Sequence, residues 1–231
     1  MTGKIAIIDH RFPLLAKEEL AKHFELIELP SSLETYQGIS AHPDIFFCKT
    51  KDALVYAPNT DNAIITKLKS SGILLIQGIL SVGKKYPETS KYNAVVSSNY
   101  IIHNLNYTDD SILNSNTNLI QINVNQGYTR CNLIEINSNL FLTSDLGIHK
   151  VLLKRKLNTF YINPLKITLP GFKNGFFGGC CGLFENKLFV TGSLNSLSEE
   201  IELKKTLKKN NIELVELCKG PLFDCGSILI L

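Results

Sequence analysis

A chain of 231 residues, 44% hydrophobic and 19% charged, can bury a sizeable core, and it lacks the low-complexity blocks that keep a chain disordered. Its 24 basic and 21 acidic residues leave a net charge of +3, too balanced and too evenly spread to mark a nucleic-acid partner or an anionic membrane surface. No run approaches the roughly 18 to 20 apolar residues of a membrane span, and the opening "MTGKIAIIDHRFP" does not read as a signal peptide. A cytoplasmic, reduced protein is therefore expected, whose 6 cysteines are buried thiols, metal ligands or a catalytic thiol rather than disulfides.

In chain order, "KIAIID" reads as a strand, "PLLAKEELAKHF" as an amphipathic helix and "ELIEL" as a second strand, a β-α-β opening. "DIFFC" and "DALVYAP", separated by "KTK", read as a hairpin that Pro58 terminates. The helix "NAIITKLKSSG" follows, with Gly72 placed for a left-handed cap, and "ILLIQG" returns as a strand. The same cycle recurs. "NAVVSSNYIIHN" is a second hairpin with Ser97 and Ser98 near its turn. "GYTRCNLIEINSNLFLTSD" is a third, turning at "NSN", and "GFFGGCCGLFENKLFVTGS" a fourth, turning at "EN". The third and fourth align without gaps, Gly127 over Gly175 and Asn139 over Lys187, which is the spacing of a repeat architecture. Ser196 and Glu199 are spaced as a capping box for the helix "EEIELKKTLKKN", and "IELVEL" follows as a strand.

The final "DCGSILIL" looks like the start of another hairpin, but the partner strand is missing. The first strand, "KIAIID", is the available partner. Pairing the two would close a ring of roughly five ββαβ units and leave no sheet edge open. A single domain over residues 1–231 is expected.

A ring of five such units with a cysteine on its last strand resembles the pentein, or α/β-propeller, superfamily. That superfamily includes dimethylarginine dimethylaminohydrolase, arginine deiminase and glycine amidinotransferase, and a non-catalytic branch contains the ribosomal anti-association factor. The resemblance rests most on "GPLFDCGSILIL", "HPDIFFCKTKDALVYAP" and "CGLFENKLFVTGS". It implies that Cys225 stands where those enzymes keep the thiol that attacks a guanidinium carbon, with a histidine from the fourth repeat as acid and base. The position implied for that histidine falls at or near Phe176, and the acidic residue that would hold the guanidinium falls near Asn132, which is neutral. Asp44 and Asp224 are the remaining acidic candidates. His42, His103 and His149 could replace the missing base, with Lys173 or Arg130 as cationic substitutes.

Bland readings stand beside these. Cys225 can be a small residue on a buried strand, and His103 a hydrogen-bonded structural histidine at a strand end, whereas His42, in a loop before a strand, is free to reach the ring centre and serve there. In "GGCCG" the glycines either form an anion nest or soft-metal site with the thiols or admit tight packing near the axis. Asp145 and Asn195, just past strands, either cap helices or line a pocket. The chain has no GxxxxGK, GxGxxG, HExxH or GxSxG motif, which weakens nucleotide and serine-hydrolase readings.

Two functions remain. One is a non-catalytic propeller that binds a small ligand, such as a guanidinium or amine, or a protein partner at its axis, with Asp44, Asn132, Asp145, Asn195 and Asp224 as substrate-binding candidates. The other is a divergent amidinohydrolase or amidinotransferase with Cys225 as nucleophile and His42 as its partner. A third reading, in which Cys131, Cys181 and Cys225 converge on zinc, ranks below both. No cofactor, metal, nucleic acid or membrane partner is expected.

Overall fold

A computed structural model describes residues 4–231. Its strands form five three-stranded sheets. In one, β1 (Ile5–Asp9) lies between β2 (Glu25–Leu29), to which it is parallel, and β15 (Leu229–Ile230), to which it is antiparallel. The register pairs Ala6 with Ile230 and Ile7 with Leu229, so the expected union of first and last strands is present.

The other four sheets repeat the pattern. They contain β3 (Phe47–Lys49), β4 (Leu54–Tyr56) and β5 (Leu75–Gln77); β6 (Val95–Val96), β7 (Tyr100–His103) and β8 (Ile120–Asn123); β9 (Leu133–Asn137), β10 (Leu140–Thr143) and β11 (Asn158–Tyr161); and β12 (Cys181–Phe184), β13 (Lys187–Val190) and β14 (Glu213–Glu216). In each, an inner strand runs antiparallel to the central one and an outer strand runs parallel to it.

A parallel pair needs a crossover, and a helix supplies it in every sheet. These are α1 (Leu14–Leu20), α3 (Asn62–Ser70), α4 (Asp110–Asn114), α6 (Leu146–Lys154) and α7 (Glu200–Lys209). Inner strands touch in the order β3, β6, β9, β12, β15. Lys49 on β3 donates from Nζ to the Ile230 carbonyl at 2.6 Å, which joins the last inner strand to the first. The result is an α/β propeller of five ββαβ modules.

Central strands are covered on both sides and read as nearly unbroken apolar runs. All five residues of β1 and all four of β10 are buried. The core lies between neighbouring modules, as in the cluster of Ile8, Phe12, Leu20, Phe24, Phe189 and Ile230, which bridges the first and last.

Two local expectations are corrected. "DIF" does not extend the first hairpin, because residues 43–46 form the one-turn helix α2 (Pro43–Phe46) ahead of β3, with Pro43 at its first position. A matching turn, α5 (Thr129–Asn132), precedes β9, and a 3-10 turn at Gly178–Cys180 precedes β12. The capping box does not form either. Ser196 lies in a separate 3-10 turn, and Glu199 accepts from the Asn163 amide and from Ser198. The Gly72 cap is present at φ +80°, and the turn at "EN" places Glu185 at φ 53°.

Candidate functional site

Several of the one-turn elements that launch inner strands meet the end of β1 at one place. Asp9 is the last residue of β1, Asp44 lies in α2, Cys131 in α5, and Asp224 just precedes β15. The three carboxylates are at most 1% exposed. Burying a charge without a partner is costly, so what each one touches defines the site.

Asp9 is held by a guanidinium. Arg11 Nε donates to Asp9 Oδ1 at 2.9 Å and Arg11 Nη2 to Oδ2 at 2.6 Å, a forked pair. The rest of the guanidinium donates to the carbonyls of Gln37 and Gly38. Asp9 raises the Arg11 pKa through its hydrogen bonds, against the effect of burial.

Asp44 has no cation within ion-pair distance among the described residues. Its Oδ2 accepts from the Ser227 hydroxyl at 2.6 Å and from Cys131 Sγ at 3.0 Å, while Oδ1 has no partner. Asn93 supports the same corner, donating to the Asp44 carbonyl and to Cys131 Sγ and accepting from the Cys131 amide.

Asp224 accepts only backbone amides, Phe176 N–H at 2.8 Å on Oδ2 and Gly226 N–H at 3.1 Å on Oδ1. Burial pushes its pKa up to about 6. His42 opposes that shift and Asp44 adds to it.

His42 sits between these groups, 2% exposed, with Nε2 3.9 Å from Asp9 Oδ2 and Nδ1 without a partner among the described residues. It reaches this position because residue 226 is glycine: at φ +69°, a Cβ there would collide with His42. The next residue, Ser227, also has a positive φ of 75°, a strained value for a residue with a side chain, and the same bend aims its hydroxyl at Asp44.

Asp9, Arg11, His42 and Asp224 open onto a pocket of about 530 Å³, whose other walls include Phe172 and Phe223.

Cys225 is next to these residues in sequence but faces the other way. Its side chain is fully buried in the apolar cluster with Ile8, Phe12 and Phe189. It donates to the Gly179 carbonyl at 3.6 Å. Burial and then the charges of Asp224, Asp9 and Asp44 push its pKa well above the ordinary thiol value.

The remaining candidates lie elsewhere. Asn132 is buried and satisfied, donating to the Tyr128 carbonyl and accepting from Ser144. Asp145 caps α6 through the Ile148 amide and accepts from Gln126. Asn195 is exposed on a 3-10 turn. His103 is buried, bonded through its ring nitrogens to Thr108 and the Gly127 carbonyl. His149 bonds to Thr159 beside α6, Arg130 donates to the carbonyls of Gly178 and Cys181, and Lys173 is exposed.

The thiols of Cys131, Cys181 and Cys225 do not converge. They donate to Asp44, to the Phe177 carbonyl and to the Gly179 carbonyl respectively. The glycines of "GGCCG" serve close packing, since a Cβ on Gly179 would strike Asp224 and one on Gly182 would strike the Ile228 carbonyl.

Sequence reasoning missed Asp9 and Arg11. The available signal was an acidic residue closing an entirely apolar strand, with arginine two positions on. Such a carboxylate is carried into the core by the strand and needs a cation within reach.

Residues 7–229 match the family described as "Family of unknown function (DUF6873)". The chain belongs to this family. No curated protein matches it. Among solved structures, this member of the family is similar to agmatine deiminase of C. jejuni with substrate bound, at 9% identity and a TM-score of 0.58, over 93% of this chain and 87% of that one. It is also similar to SxtG, an amidinotransferase of Microseira wollei in the saxitoxin biosynthetic pathway. There the identity is 9% and the TM-score 0.55, over 92% of this chain and 88% of that one. A putative peptidyl-arginine deiminase shows 12% identity and a TM-score of 0.53, over 93% and 89%. At these identities the likeness is one of fold, and the chain has the pentein fold.

Proposed function

We propose that this protein binds a small organic cation, through a guanidinium or a primary ammonium group, in the pocket beside Asp224, and that it does so without covalent chemistry at Cys225. The observation that carries the reading is the charge balance of the pocket. Asp9 has its guanidinium in Arg11, whereas Asp224, equally buried, faces the same space with backbone amides as its only donors among the described residues. A cation there would supply the missing countercharge, and Phe172 and Phe223 would cover its apolar stem. The Arg11–Asp9 fork shows that a planar guanidinium fits carboxylate geometry in this pocket.

Titration calorimetry with agmatine, putrescine and a neutral alkylurea tests this. The two cations should bind saturably and the urea should not. Asp224→Asn should weaken binding at least tenfold, and Cys225→Ser should leave it unchanged. Absence of cation binding, or full binding in Asp224→Asn, would overturn the reading.

A second reading is favoured by one observation: Cys225 directly follows Asp224, which lines the pocket. In that reading the thiol turns into the pocket, its proton passes to His42, the sulfur bonds to a guanidinium carbon, and the C–N bond breaks so that an amine leaves with that proton, giving a thiouronium. A haloacetamidine probe that labels Cys225 alone, in preference to the other five cysteines, would support it; labelling elsewhere or none would remove it.

A further inference from the structure

We infer that His42, Asp44 and Cys131 form a binding site for a divalent metal ion of the zinc class, built where α2 and α5 meet at the ring centre. A nitrogen of His42, a carboxylate oxygen of Asp44 and Cys131 Sγ all lie within 4.8 Å of one another, and all three residues are buried. Donor atoms around a tetrahedral zinc ion, at bond lengths of about 2.0 to 2.3 Å, are roughly 3.3 to 3.7 Å apart, so small side-chain rotations suffice to close the set. Nitrogen, carboxylate and thiolate together suit zinc or cobalt over magnesium or calcium, which take oxygen ligands.

The second and independent observation is the bonding the site leaves unmade. His42 Nδ1 and Asp44 Oδ1 are buried polar atoms with no partner among the described residues, and they belong to two of the three residues in the cluster. A buried imidazole nitrogen and a buried carboxylate oxygen each carry a lone pair that a metal can use, and leaving both unpaired is costly.

The surroundings match what metal ligands ordinarily have behind them. Ser227 Oγ donates to Asp44 Oδ2 at 2.6 Å and Asn93 Nδ2 to Cys131 Sγ at 3.3 Å, fixing a carboxylate and a sulfur that would otherwise rotate. Asn93 also ties the two elements together through the Asp44 carbonyl. Ser227 holds its position in a left-handed conformation, a strain placed where it orients a ligand.

Ligation balances simply. The Cys131 thiol proton, now donated to Asp44 Oδ2, is released to solvent. The two anionic ligands then neutralise the dication. With three protein donors, the fourth position is open to water or to a ligand entering from the pocket that His42 lines. This inference does not depend on cation binding at Asp224, because its probe is the metal alone.

The test is titration of the chelator-treated full chain with cobalt(II), followed by absorption. One equivalent should produce a thiolate-to-cobalt charge-transfer band in the near ultraviolet and raise the melting temperature. Cys131→Ser should abolish the band, while Cys225→Ser should retain it. Asp44→Asn and His42→Gln keep the thiol, so they should retain a band but weaken cobalt affinity at least tenfold; they remain informative if Cys131→Ser does not fold. No band at one equivalent, a band unchanged in Cys131→Ser, or unchanged affinity in both Asp44→Asn and His42→Gln would overturn the assignment.

Discussion

Gly226 decides where His42 can lie, and its contribution separates into two parts. The first is conformational, since φ +69° disfavours any residue with a Cβ by about 1 to 2 kcal/mol. The second is spatial, because a Cβ would meet both the side chain and the backbone of His42. Gly171 has a similar φ of +84° and open space around the same position, so it serves as a control. Gly171→Ala should cost about 1 kcal/mol in urea unfolding, and Gly226→Ala at least twice that, with loss of cobalt and agmatine binding. Equal costs for the two would mean that the close approach to His42 carries no weight. At this scale the sequence was only partly legible. His42, Asp44 and Asp224 were recognisable as charged or basic groups flanking inner strands, and the structure brings them together. Asp9 was hidden because it reads as the hydrophilic end of an ordinary strand.

The hairpins were legible because each inner and central strand is an apolar run with a turn signal after it, as in "NSN" and "EN". The helices α2 and α5 were not, since four residues complete barely one turn and show no 3.6-residue period. They matter most to the site, because a single turn before each inner strand delivers Asp44 and Cys131 to the centre. His103, the last residue of β7, ties that strand to the loop before α5 through Gly127. Burial lowers its pKa to about 4, against hydrogen bonds that raise it. The unfolded chain takes up this proton near pH 6.5 and the folded chain only near 4, so the stabilising effect of a neutral His103 is complete above about 6.5. It is lost as pH falls toward about 4, a change of about 3 kcal/mol. Asp224, raised to about 6, acts in the opposite sense over part of this range, gaining stability as pH falls. The informative quantity is therefore the difference between wild type and His103→Gln. Their unfolding free energies should converge by about 2 to 3 kcal/mol between pH 7 and pH 4; parallel curves would exclude this role for His103.

Closure of the ring could be argued from sequence because the alignment of the third and fourth repeats exposed the module, and the last module then lacked a strand that the first residues could supply. Five modules form a closed ring, and the seam between β15 and β1 is a place where closure depends on residues far apart in the chain. Ile230 lies on that seam, 2% exposed, against Ile8 and Phe24. Ile230→Ala should cost about 2 to 5 kcal/mol in chemical unfolding, whereas Leu33→Ala, at a position 95% exposed, should stay within about 0.5 kcal/mol. A small effect at Ile230 would show that the seam contributes little to holding the ring.

The meeting of β1 with β15 also orders events in time. Asp9 and Arg11 precede Asp224 to Ser227 by more than 200 residues, so the two halves of the pocket rim are joined by a contact of very large sequence separation. Such contacts are slow to form, because the loop they close is long and little compensates its entropy until the seam is sealed. Refolding should accordingly restore helix and hairpin signals before the capacity to hold a ligand, and a nascent chain would be unable to sequester one until β15 had docked on β1.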